Sequence, residues 1–407
     1  MDLRITPKKL SGTVTPPPSK SMAHRLIIAA SLGDGTSTIR NVAFSKDIEA
    51  TLRCMETLGA EWFRQTDDTV CVRGIRPRSS EELPHFDCGE SGSTLRFLIP
   101  IALAVAGGGV FTGQGRLMER PQKPYFDLFD EKGIFWNQEN GVLTVQGRLT
   151  PGEYRLPGNV SSQFFTGLLF ALSLLDTPSE IISTTALESA NYIDMTLQAM
   201  EIAGIPVNSV RNQNHFMVHP ADYRPFENTV EPDWSQAGFW YAANFLDNPV
   251  EIRGMNAYST QGDMIIAKHY WLLARPGEDV EIDISGCPDL LPPLAIMAAV
   301  RSGTTHFFNA ARLRIKESDR LSTVSAMLTA LGCNTEELPD ALIVHGGPPL
   351  TGGTVDGAND HRIVMAAAIA ATACSAPVTI LGAEAVSKSY PDFWEEYQRL
   401  GGDLHVL

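Results

Sequence analysis

Six times along the chain the same order of apolar and polar positions recurs. A polar or Gly-containing turn opens an Ala/Leu-rich apolar stretch of helical length, a turn of small residues closes it, and a short strand follows. The helix openings read PPSKSMAHRLIIAASLG, GESGSTLRFLIPIALAVAGG, VSSQFFTGLLFALSLLD, PDWSQAGFWYAANFLDN, CPDLLPPLAIMAAVRSG and NDHRIVMAAAIAATACS. The strands after them read TSTIRN, GVFTG, SEIIS, VEIRG, THFFN and VTILG. The period is roughly 70 residues, with one shorter copy, and a fixed period of this size marks copies of one supersecondary unit.

A second pattern follows each strand. In DIEATLRCMETLG, Ile48, Leu52, Met55 and Leu58 fall on one helical face, and Gly59 stands where a C-cap belongs. The same shape recurs at Tyr192–Gly204, Asp319–Gly332 and Pro391–Gly401, and TVCVRG, VLTVQG, HFMVHP and LIVHGG read as later strands. Six such units in two groups of three predict an α/β protein with internal pseudo-symmetry. Its apolar helices are buried and its amphipathic ones lie outside. The length of 407 residues also calls for two domains, because single cores stop growing beyond about 250–300 residues. The break falls around Phe226–Val230. The first dozen residues do not fit the start of a unit and are expected to cross over, giving domains at 14–228 and at 1–13 plus 229–407.

Helix starts expose unpaired N–H groups and the positive end of a dipole, so several of them converging would form an anion site. Bulk charge narrows the partners. With 32 Lys and Arg against 47 Asp and Glu, the net charge of −15 argues against nucleic acid and anionic membrane, but not against a small anion in a basic cleft. The longest apolar stretches fall short of the roughly 20 residues a membrane span needs. No signal core is evident, and the six cysteines show neither CxxC nor zinc-like spacing, so a reduced cytoplasmic compartment is expected.

The charged motifs sit at these helix starts. Lys20, Ser21 and Arg25 follow three prolines, and two cations in the first turns of a helix oppose its dipole unless an anion is bound. Glu90-Ser91-Gly92-Ser93 is a turn into a helix that, alone, reads as an ordinary cap; Ser161-Ser162-Gln163 also serves as a cap. Lys316 and Arg320, in RIKESDR, would share a helical face at i,i+4 and repel each other unless an anion lay between them; the bland alternative is a salt-bridged surface run with Glu317 and Asp319. His361 and Arg362 open a buried helix at a cost that calls for a partner. Lys20, Arg120, Arg320, Arg362 and Lys388 come from four of the six units, and together they suit a ligand bearing phosphate and carboxylate.

Read in order, PPSKSMAHR, CGESGSTLRF, the Arg120-Pro121 loop, VSSQF, SANYID, CPD, RIKESDR, NDHR and KSYPDF resemble the 5-enolpyruvylshikimate-3-phosphate (EPSP) synthase family from about Leu10 to the C-terminus. The resemblance implies an enolpyruvyl-transferase fold, an inside-out α/β barrel with three βαβαββ units in each of two domains and the active site in the cleft between them. It implies transfer of the carboxyvinyl group of phosphoenolpyruvate to the 5-hydroxyl of shikimate 3-phosphate, by addition and elimination, with no metal or organic cofactor, in a cytoplasmic monomer. Lys20, Asp289, Glu317 and Lys388 take the catalytic positions. Lys20, Gly92, Arg120, Gln163, Arg320, Arg362 and Lys388 match phosphoenolpyruvate contacts. Lys20, Ser21, Arg25, Ser161, Ser162, Gln163, Ser189, Asp289 and Lys316 match shikimate 3-phosphate contacts, and Tyr192 matches a tyrosine there in some members. Gly92 also implies inhibition by glyphosate.

The sequence departs from the family pattern at Glu90, where many members carry Asn, and at Arg312, where some do. The related UDP-N-acetylglucosamine branch uses a Cys on the loop before the Arg-Pro pair and an Asn after the lysine; here Gly113–Arg120 has no Cys and Ser21 follows Lys20. A non-catalytic binder of an anionic metabolite on the same scaffold would be marked by loss of Lys20, Asp289, Glu317 or Lys388, and all four are present.

Overall fold

A computed structural model describes the chain except for residues 77–81, 211–213 and 276. It divides into two compact units, Pro18–Glu231 and Met1–Pro17 with Pro232–Leu407. The chain opens with strands β1 (Leu3–Thr6) and β2 (Gly12–Val14), both in the second of these units.

The unit Pro18–Glu231 runs α1 (Lys20–Leu32), β3 (Thr36–Arg40), α2 (Lys46–Thr57), β4 (Glu61–Thr66), β5 (Thr69–Arg73), then β6 (His85–Asp87), α3 (Gly92–Ala106), β7 (Gly108–Thr112), α4 (Lys123–Lys132), β8 (Phe135–Glu139) and β9 (Val142–Gln146). Its third copy is β10 (Glu153–Leu156), α5 (Ser162–Leu172), β11 (Ser179–Ser183), α6 (Ala190–Ile202), β12 (Val207–Val210) and β13 (His215–Val218), followed by β14 (Glu227–Thr229). Three four-stranded sheets result, ordered β14-β3-β5-β4, β6-β7-β9-β8 and β10-β11-β13-β12. In each the first pair is parallel and the other two are antiparallel. The strand β14, which follows the third copy, thus supplies the first strand of the first sheet.

The other unit continues with α7 (Trp234–Phe245), β15 (Val250–Ile252), α8 (Ile266–Leu273), β16 (Val280–Asp283), α9 (Leu291–Val300), β17 (Gly303–Phe308), α10 (Arg320–Ala330), β18 (Asn334–Leu338) and β19 (Ala341–Gly346). It ends with β20 (Gly353–Asp356), α11 (His361–Ala371), β21 (Val378–Leu381), α12 (Phe393–Arg399) and β22 (Asp403–Val406). Its sheets are β16-β17-β19-β18, β20-β21-β1-β22 and the two-stranded β15-β2. The first strand of the chain therefore completes the last sheet, between β21 and β22. The short copy is the fourth: among the described residues α8 is followed by β16 without the hairpin that follows α2, α4, α6 and α10.

Residue chemistry accounts for the layering. In α9 and α11 nearly every side chain is buried, and in α11 alanine is the commonest residue, a small side chain that keeps full helix propensity. In α2 the residues Ile48, Leu52 and Met55 are buried while Arg53 and Glu56 face water. The helices α4 and α8 are amphipathic copies that the sequence reading did not pick out. The α3 helix runs on through Pro100. Among the described residues no helix is long and apolar enough to cross a membrane.

Candidate active site

In the unit Pro18–Glu231, the candidate residues gather at helix N-termini. Ser19 caps α1 by accepting from the Met22 N–H, so Lys20 and Ser21 are its first residues. The Lys20 ammonium meets the Asp47 carboxylate of α2 at 2.7 Å. Ser91 caps α3, which begins at Gly92, and Ser161 caps α5, which begins at Ser162. Gly92 lies beside Arg120: a Cβ there would stand 2.7 Å from Arg120 Nη1 and 3.7 Å from Gln163 Oε1. The missing side chain is what lets this guanidinium approach the start of α3. Gln163 accepts from Arg96 Nη1 at 2.9 Å and donates to Ser93 Oγ at 3.0 Å. Gly167 permits the close approach of α3 and α5, since a Cβ on it would sit 2.5 Å from Tyr125 Oη and 2.6 Å from the Arg96 carbonyl.

Arg25 is buried at 2 % exposure among α1, α3, α5 and α6. It donates to the Ser21 and Tyr192 carbonyls and to the Thr166 and Thr196 hydroxyls, and its guanidinium lies 5.1 Å from the Phe97 ring centre. Burial pulls its pKa down to about 10, against a small opposing pull from Tyr192. Among the described residues Arg25 is held by neutral oxygens alone, so its positive charge in the second turn of α1 suits an anion. Ser189 stands at the N-terminus of α6 with φ 55°, a left-handed conformation that costs a non-glycine residue on the order of 1–3 kcal/mol. Glu90 places its carboxylate against Gly115, with Oε2 2.6 Å from where a Cβ on that glycine would stand.

The other unit assembles a charge cluster around Asp289. Its carboxylate accepts from Arg320 Nη1 at 2.8 Å and from Arg362 Nη2 at 2.9 Å, with Lys316 Nζ at 3.6 Å. Arg320 also pairs with Glu317 at 2.5 Å and with Asp360 at 2.9 Å and 3.2 Å. Ser235 Oγ accepts from Arg362 at 3.0 Å, and Lys388 donates to the Asn359 carbonyl at 2.6 Å. Ala358 and Asn359, the turn that presents this carbonyl, are both left-handed, with φ 49° and 52°. Burial raises the Asp289 carboxyl, but Arg362, Lys316 and Arg320 outweigh it and hold the group well below the usual carboxylate range. Burial lowers the Lys316 ammonium against the pull of Asp289, with Arg320 and Arg312 adding to the descent.

Two expectations need correction. Lys316 and Arg320 do not share a helix. Residues Ala311–Ile315, Arg312 among them, form a 3₁₀ turn, and Lys316 is extended; Asp319 then caps a new helix by accepting from Ser322 N–H. The anion between the two cations is the Asp289 carboxylate. The basic residues are also less dependent on an outside anion than their sequence suggests, because Asp47, Asp289, Glu317 and Asp360 already pair with Lys20, Arg320 and Arg362. The sequence reading assigned no role to Asp47, Arg96, Ser235 or Asp360. The signal for Asp360 was its position as a capping residue before α11, where it accepts from the Arg362 N–H.

The fold is that of enolpyruvyl transferases: a solved EPSP synthase from Acinetobacter baumannii superposes with a TM-score of 0.80 over 100% of both chains at 23% identity. The enolpyruvyl transferase NikO from Streptomyces tendae does so at 0.79 and 19% identity, covering 99% of this chain and 98% of the other. The model of the EPSP synthase (3-phosphoshikimate 1-carboxyvinyltransferase) family matches residues 5–397, and the chain belongs to that family. A 3-phosphoshikimate 1-carboxyvinyltransferase of Clostridium acetobutylicum is 43% identical over 422 aligned residues, covering 99% of this chain and 98% of that protein. One from Clostridium kluyveri is 42% identical over 416, covering 98% and 97%.

Proposed function

We propose that this chain transfers the carboxyvinyl group of phosphoenolpyruvate to the 5-hydroxyl of shikimate 3-phosphate and releases inorganic phosphate. The observation that carries this reading is the Asp289 carboxylate, held ionised by Arg320, Arg362 and Lys316 in a family whose relatives carry this activity in their names. An ionised carboxylate among cations supplies a base for the attacking hydroxyl and positive charge for phosphate and carboxylate oxygens.

In this reading the hydroxyl oxygen adds to C2 of phosphoenolpyruvate as Asp289 takes its proton, and a general acid protonates the methylene carbon. Glu317, with Lys20 and Lys388, serves the proton transfers. Elimination then returns a proton from the new methyl group to the protein and expels phosphate, leaving the enol ether. Gly92, Arg120, Gln163, Arg320 and Arg362 take the phosphoenolpyruvate anion. Ser21, Arg25, Ser161, Ser162, Ser189 and Lys316 take shikimate 3-phosphate, with Tyr192, Glu90 and Arg312 beside them. Residues of both units thus serve one reaction, and glyphosate competes with phosphoenolpyruvate.

Phosphate release tests the proposal. The purified protein is expected to release phosphate only with both substrates present, with or without a chelator. Release with UDP-N-acetylglucosamine in place of shikimate 3-phosphate, or none with either acceptor, contradicts it.

A further inference from the structure

A buried line of side-chain hydrogen bonds crosses the three helices that carry Lys20, Asp47 and Gly92. His24 Nδ1 lies 2.7 Å from Thr51 Oγ1, Thr51 Oγ1 lies 2.7 Å from Thr94 Oγ1, and Thr94 Oγ1 lies 2.7 Å from Ser91 Oγ. None of the four residues is more than 1 % exposed. His24 stands four residues after Lys20 on α1, and Thr51 stands four after Asp47 on α2. Each pair therefore shares a helical face. The Lys20–Asp47 ion pair and the His24–Thr51 bond are successive rungs between the same two helices.

The chain has one direction. Thr94 gives its hydroxyl proton to Ser91, and its backbone N–H goes to the same oxygen. Thr51 must then donate to Thr94, and His24 Nδ1–H must donate to Thr51. The other ring nitrogen, Nε2, is buried with no partner among the described residues, as a lone pair on a neutral imidazole would be. Burial, with Lys20 and Arg25 nearby, holds the ring neutral.

We propose that this relay makes His24 and Thr51 positioning residues for phosphoenolpyruvate, setting the start of α3 and the Lys20 ammonium against each other. The relay ends on the hydroxyl that caps α3, one residue before Gly92. The clearance at Gly92 is small, with Arg120 Nη1 2.7 Å from where a Cβ would stand. A cap that loosens moves the turn against this guanidinium, and displacements of an ångström are costly in such sites. His24 acts through Thr51 and takes no proton in the reaction.

The inference rests on the proposed reaction, so wild-type turnover of the two substrates is the control; without it the reaction itself fails. Thr51→Val is close in shape but lacks the hydroxyl, whereas Thr51→Ser retains it. Thr51→Val is expected to raise KM for phosphoenolpyruvate about tenfold or more while KM for shikimate 3-phosphate stays within about twofold, and Thr51→Ser to restore both. An equal rise in both constants, no rise in either, or no rescue by serine overturns the relay while leaving the reaction standing. Nitrogen NMR of the histidine rings, assigned with His24→Asn, gives a second reading that needs no Thr51 variant. The Nδ1–H tautomer is expected at His24, and an Nε2–H tautomer or an imidazolium overturns the proposal.

Discussion

At the scale of single residues, a missing side chain and a buried carboxylate do most to shape the site. Gly92→Ala puts a methyl group 2.7 Å from Arg120 Nη1, so the guanidinium must shift. Inhibition kinetics are expected to show the glyphosate Ki rising more than KM for phosphoenolpyruvate, because the smaller substrate tolerates the narrowed space; equal changes would contradict this. Asp289 makes a second prediction. Its pKa is depressed in the folded state, so the stability it contributes is present above the ordinary carboxylate range and is lost as pH falls below about 4. The stability gap between wild type and Asp289→Asn, measured by urea unfolding, is expected to shrink from pH 5 to pH 3. At neutral pH the same variant is expected to lower kcat by about 10²–10⁴-fold with little change in either KM. The types and positions of these residues were legible in the sequence, but their partners were not. Asp47 is 27 residues from Lys20 and Asp360 is 40 from Arg320, so only the packing of separate helices shows which carboxylate meets which cation.

At the scale of elements, the site depends on helix starts that packing holds close together. Gly167 is where α5 meets α3, and its absent side chain leaves room for Tyr125 Oη and the Arg96 carbonyl. Gly167→Ala is expected to cost about 1–3 kcal/mol in urea unfolding through overpacking. It should also raise KM for phosphoenolpyruvate, because Arg96 and Gln163 are bonded across the two helices. Unchanged stability would show that the helices part without cost. The period of apolar positions made the buried helices and their strands readable. It did not reveal α4 and α8. The charged residues of RIKESDR also misled, because helical spacing was assumed where Asp319 in fact caps a new helix and leaves Lys316 extended.

At the scale of the whole molecule, six copies of one unit make two compact bodies, and strands distant in sequence complete their sheets: β1 joins the last sheet, β2 pairs with β15, and β14 pairs with β3. The repeat gave the architecture and the misfit of the first dozen residues pointed to their crossing over, but which strands pair leaves no periodic signal. The function proposed for the molecule requires both substrates and a carbon–oxygen bond formed between them. The most direct measurement is NMR of the product formed from phosphoenolpyruvate labelled with carbon-13 in its methylene group. The account predicts that the labelled methylene remains a vinyl group, attached through oxygen at C5 of shikimate 3-phosphate, with one phosphate released per transfer. Labelled pyruvate accompanied by unchanged shikimate 3-phosphate would contradict it, because the protein would then be hydrolysing phosphoenolpyruvate rather than transferring its carboxyvinyl group.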